Sequence, residues 1–164
     1  MSRLVAVAAA VAAFAFAASA TAAHQIHVKG SDAGTFSLAP APGGLPGIYV
    51  STDVSSGVAS HLGRYEFLAH ETYDSNKNVV TQASFTITTR HGTVSGNYTA
   101  TLGVGATPNI STYHAPGFIT GGTGRYAGAT GTIVFDGFGD LQTGALEDHF
   151  TATIALPSNG GDDD

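Results

Sequence analysis

Through the middle of this chain apolar and polar side chains alternate with a period of two. Tyr65, Phe67, Ala69 and Tyr73 fall on one side of residues 59–73, and Arg64, Glu66, His70 and Thr72 fall on the other. Successive side chains of a strand point to opposite faces, so this stretch predicts one long half-buried strand. Asp74 to Asn78 is rich in turn-forming residues, after which Val79, Ala83, Phe85 and Ile87 continue an apolar face opposite Gln82, Ser84, Thr86 and Thr88. Arg90-His91-Gly92 turns again. Val94, Gly96, Tyr98, Ala100 and Leu102 then alternate with Thr93, Ser95, Asn97, Thr99 and Thr101. Further strands are expected at 110–120, 126–138 and 146–156, with Gly137, Gly139 and Gly144 marking bends or close backbone approach. Upstream, residues 25–38 read as a first strand broken around Gly30-Ser-Asp-Ala-Gly34. A loop rich in proline and glycine follows, and extended chain resumes at 48–52. Apolar spacing of three and four never persists, so helix is minor. Seven or eight consecutive antiparallel strands predict an all-β fold, a closed antiparallel barrel of about eight strands, with a β-sandwich as the alternative.

Composition agrees with this reading. Charged residues make up 11% of the 164, whereas glycine occupies 22 positions, a mixture suited to strands joined by turns. The richest turn segment is Ile119-Thr-Gly-Gly-Thr-Gly-Arg-Tyr-Ala-Gly-Ala-Thr-Gly-Thr-Ile-Val-Phe135, read as strand, tight turn and strand. A phosphate-binding glycine loop would need a helix N-terminus after Gly128, and the residues there are β-branched and aromatic instead.

Residues 1–23 combine a short basic start at Arg3, an apolar run from Leu4 to Ala18 and small residues at Ala18-Ser-Ala20 and Ala20-Thr-Ala22, the pattern of a cleavable signal peptide. The run is too soon interrupted to span a membrane as a helix. The expected organisation is therefore a signal peptide at 1–23, a β-barrel domain at 24–157 and a disordered acidic tail at 158–164, on a protein that is exported, extracellular or periplasmic. There is no cysteine, so stability outside the cytoplasm must come from packing and closed hydrogen bonding. The formal charge of −6 disfavours a nucleic-acid partner.

The candidate chemistry lies on the apolar faces. Glu71 shares the phase of Tyr65, Phe67 and Tyr73, and Asp148 that of Leu146, Phe150 and Ile154. Two readings stand: carboxylates solvated at a barrel rim, or polar anchors inside it whose pKa is raised by desolvation into the acid–base range. As anchors, Glu71 and Asp148 are the candidate catalytic pair. Tyr65, Phe67, Tyr73 and Tyr98 are candidate ligand-binding residues, large apolar surfaces of which three carry a hydroxyl. His24 and His27 offer a copper-chelating N-terminus if cleavage follows Ala23, but the remaining histidines supply no identifiable ligand spacing, so no metal and no cofactor are expected. No Gly-x-Ser-x-Gly elbow is present.

The glycine-rich segment Ile119 to Gly131 followed by a strand, together with His61-Leu-Gly63 before an earlier one, resembles exported bacterial proteins of the allene oxide cyclase and dirigent barrel type. The resemblance covers Ala59 to Leu156. It implies a calycin-like barrel of eight strands with an apolar interior and no cofactor; it is compatible with a trimer as in the cyclases, and the Thr-rich outer faces are equally compatible with a solvated monomer, so the oligomeric state stays open. It also implies a function: relatives cyclise a fatty-acid epoxide or steer the coupling of phenoxy radicals. From this follow three expectations in order: a barrel binding a small apolar molecule, lipid-like or phenolic; a structural barrel with a filled interior; and a cofactor-independent cyclase or isomerase.

Overall fold

The computed structural model describes residues 24–157, so the expected leader and acidic tail lie outside the described residues. Eight strands follow in order: β1 (His24–Pro40), β2 (Ile48–Ala59), β3 (Gly63–Asp74), β4 (Val79–Thr89), β5 (Gly92–Val104), β6 (Ile110–Gly122), β7 (Thr130–Asp140) and β8 (Ala145–Leu156). Each pairs antiparallel with its chain neighbour, and β1 closes on β8 from His24 opposite Leu156 to Thr35 opposite Ala145. The fold is a closed up-and-down barrel. Closure satisfies the ladder groups of the first and last strands, which an open sheet would leave as exposed edges.

The alternation places the side chains as expected in most of the chain. Tyr65, Phe67, Ala69, Phe85, Ile87, Val94, Tyr98, Ala100, Phe150 and Ile154 are all buried in the interior. Phe135 sits at its centre, with ring centroids 5.4 Å from Phe67 and Tyr98, 5.5 Å from Phe85 and 5.7 Å from Phe150. Below this aromatic layer the barrel is solid, filled by Val28, Leu62, Ile87, Val94, Ile119, Tyr126 and Ile133.

Four expectations need correction. β1 is unbroken: Gly30 and Gly34 make room rather than turn the chain, since a Cβ on Gly34 would lie 2.0 Å from the Val54 carbonyl oxygen and one on Gly30 2.3 Å from the Phe150 ring. The strand expected from 59 begins at Gly63: Ala59 ends β2, and residues 60–62 form the turn between them, where His61 takes a φ of 62°. Val80 and not Val79 is the buried partner of Ala83, because a bulge between Val80 and Ala83 shifts the phase. The connection between β6 and β7 is longer than a tight turn. A single 3₁₀ turn at Gly124–Tyr126 occupies it and buries Tyr126 under the barrel, and β7 begins at Thr130 rather than 126.

Candidate functional site

The end of the barrel that carries the connections at 41–47, 75–78, 105–109 and 141–144 is hollow. A cavity of about 210 Å³ opens there above the aromatic layer. Phe67, Tyr98 and Phe135 form its floor, and Phe36, Tyr73, Leu102, Tyr113 and Leu146 stand around it. Leu38, Val104 and Leu141 keep the rim apolar while remaining exposed.

One wall is acidic. Asp148 of β8, Asp53 of β2 and Glu71 of β3 line the cavity, and Asp32 of β1 lies beside Asp148 as its direct register partner. Four consecutive strands around the barrel, β8, β1, β2 and β3, thus each deliver one carboxyl inward. Asp148 is 5% exposed and Asp32 7%. Hydroxyls supply the hydrogen bonds available: Tyr65 donates to Asp32 Oδ2 at 2.5 Å, Ser51 donates to Asp53 Oδ1 at 2.5 Å, and Tyr98 donates to Glu71. Asp148 Oδ1 and Asp32 Oδ1 are buried with no partner. No lysine, arginine or histidine lines the cavity among the described residues.

The electrostatic consequence follows from desolvation first and like charge second. Burial pushes the Asp148 carboxyl up to about 8, with the neighbouring charges of Asp32, Asp53 and Glu71 adding to it. Glu71 is raised to about 7 by burial and by Asp53, against the opposing Tyr98 hydrogen bond. Asp53 rises to about 6 through burial, moderated by the Ser51 hydroxyl and by His70, which lies on the outer side of β3. The hydroxyls of Tyr65 and Tyr98 are held well above their ordinary value by burial and by the adjacent carboxyls. Near neutral pH the wall therefore holds carboxyls in both protonation states, able to donate a hydrogen bond as well as accept one.

Sequence reasoning reached half of this group. Glu71 and Asp148 occupy the interior, not a solvated rim, and Phe67, Tyr73 and Tyr98 line the cavity with them. Tyr65 does not line it: it sits deeper, edge-on to Phe150 at 5.7 Å and bonded to Asp32. Asp32 and Asp53 were not singled out. Asp32 shares the phase of Val28 and Phe36, a signal visible once β1 is read without a break. His24 and His27 lie three apart on β1, on opposite faces, and His27 Nδ1 is 3.1 Å from Thr153 Oγ1. Among the described residues no three acidic or histidine side chains converge as a metal site. Asp136 and Asp140 face away from the cavity. Asp136 meets His114 at 2.7 Å and Asp140 accepts the Gln142 amide at 2.8 Å.

No protein-family model and no curated protein matches this chain. Solved structures do. The pterocarpan synthase dirigent protein GePTS1 superposes with a TM-score of 0.55 at 12% identity, over 84% of this chain and 87% of its own. The chain folds as a dirigent-like barrel. A second pterocarpan synthase dirigent protein, PsPTS1, gives a TM-score of 0.51 at 15% identity, over 81% of this chain and 94% of its own. At this identity the likeness concerns the eight-stranded dirigent-like fold and carries no residue-by-residue correspondence.

Proposed function

We propose that this dirigent-like barrel binds, outside the cytoplasm, a small molecule with an apolar body and one polar end, lipid-like or phenolic in character. The observation that carries the reading is the division of the cavity: an aromatic floor and apolar rim on one side, and a wall bearing Asp53, Glu71 and Asp148 on the other. Apolar lining with a few converging polar groups is the general form of a small-molecule site. A solid interior would have supported the structural reading, and here the space above Phe135 is unfilled. Native mass spectrometry of the protein purified from its own host tests the proposal. A copurifying molecule lost on denaturation is the expected result. A clean apo mass, together with no binding of either a neutral aromatic alcohol or the aromatic ammonium of the same shape in titration, overturns it.

One observation favours a second reading, a cofactor-independent cyclase or isomerase. Glu71 and Asp148 have pKa values raised to about 7 and about 8 inside the same cavity, the range in which a carboxyl gives or takes a proton at neutral pH. The pterocarpan synthase names of the two structural neighbours lend this reading the same direction. Confinement of a reactive ligand over the aromatic floor would contribute the remainder by restricting its conformations.

A further inference from the structure

The cavity gathers carboxyls without gathering any counter-charge. Asp32, Asp53, Glu71 and Asp148 come from four consecutive strands, and the titratable groups that face Asp148 are those three carboxyls, the hydroxyls of Tyr65 and Tyr98, and the Tyr113 hydroxyl of β6, which shares the space over Gly137 with Asp148 Oδ1 without hydrogen-bonding to it. β7 offers only Gly137 opposite Asp148. Asp148 is 95% buried by the measure of its 5% exposure, lines the cavity, and leaves Oδ1 with no donor. A buried acceptor without a donor is costly, and a buried carboxylate without a cation more so. The rest of the lining is suited to the body of such a molecule, because Phe67, Tyr98 and Phe135, tilted 61° and 52° about Phe135, offer a continuous apolar surface beside the acidic wall.

We infer that the molecule held in this cavity carries an organic ammonium group, seated against Asp148 and Glu71 with its apolar body on the aromatic floor. This inference rests on the ligand-binding reading above and narrows its polar end to a cation. A divalent metal does not meet the same demand: among the described residues no three of the carboxyls converge on one point, whereas an organic ammonium needs only one or two carboxylates and brings an apolar body for the aromatic floor that a hydrated metal ion lacks. A carboxylate-bearing ligand such as a free fatty acid would meet growing repulsion as Glu71 and Asp148 ionise through about 7 to about 8, the opposite pH dependence to that of an ammonium.

The linkage has a definite sign. An ammonium favours the ionised carboxyls, so its binding at neutral pH releases protons from Glu71 and Asp148 and tightens as pH rises through about 6 to about 8. The test is calorimetric titration with two probes of one shape: 1-naphthylmethylammonium, a primary ammonium that stays protonated up to pH 8 and has N–H donors, and neutral 1-naphthalenemethanol. At pH 8 the ammonium is expected to bind at least about tenfold more tightly than the alcohol, and at pH 5 the two are expected to converge. Titrations at pH 7 in two buffers of different ionisation enthalpy should show proton release for the ammonium alone. In Asp148→Asn combined with Glu71→Gln the ratio of the two affinities should fall toward one. Equal affinities at pH 8, or a ratio unchanged from pH 5 to pH 8, overturn the cationic ligand while leaving the cavity reading in place. Binding of neither probe removes both.

Discussion

Asp32 and Asp148 face each other across the seam that closes the barrel, each with one buried oxygen unpartnered. Burial first and the neighbouring acidic groups second make ionising Asp148 costly, raising it to about 8. Asp148→Asn removes one charge and supplies an amide donor toward Asp32 at nearly constant volume. Stability at pH 8 is expected to rise by about 2 kcal/mol in urea unfolding, with little change at pH 4 where the carboxyl is already neutral. Tyr65→Phe should act the other way. It strips Asp32 of its one hydroxyl donor, and a loss of about 1–3 kcal/mol at pH 7 is expected by the same measurement. Glu71 and Asp148 were legible in the sequence because each breaks an otherwise apolar alternation. Tyr65 was assigned to the right face but the wrong depth, since period two tells which side of a sheet a residue takes and nothing about how far down a barrel it lies.

At the scale of elements, β2 explains why Asp53 escaped notice. Its polar residues Ser51, Asp53 and Ser55 point inward, while Val50, Val54 and Val58 stand 37%, 53% and 57% exposed outside. The rule that apolar residues face the core selects the wrong side of this strand. β1 misled for a different reason: glycines at 30 and 34 look like turn signals, yet each is small because a neighbouring strand or ring occupies the space of a side chain. The glycine-rich connection between β6 and β7 does use backbone freedom. Gly124 has a φ of 58°, and a Cβ there would lie 2.3 Å from the His91 carbonyl oxygen that accepts the Arg125 amide. Gly124→Ala is expected to cost about 2 kcal/mol and to lower the melting temperature by several degrees, read by circular dichroism.

For the molecule as a whole, the acidic wall sets how stability depends on pH. Asp53, Glu71 and Asp148 bind their protons more tightly folded than unfolded, with ordinary values of 3.8 to 4.5 raised to about 6, 7 and 8. The folded state therefore holds protons that the unfolded chain has lost, and its stability falls as pH climbs from about 4.5 to about 8 and levels off above. Thermal unfolding between pH 5 and pH 9 should show the melting temperature declining across that window. A melting temperature that rises over it would contradict the raised carboxyls. The sequence by itself determined the strand class, the turns and the inward phase of most side chains, because these follow from period-two patterning and from residues that each act within a few positions of themselves. Closure of β1 on β8, the depth of each side chain and the meeting of four carboxyls from four strands were decided only by the tertiary structure. Those features depend on register between segments more than a hundred residues apart, as with Asp32 and Asp148, and on how the curved sheet fills one end of its interior and leaves the other open.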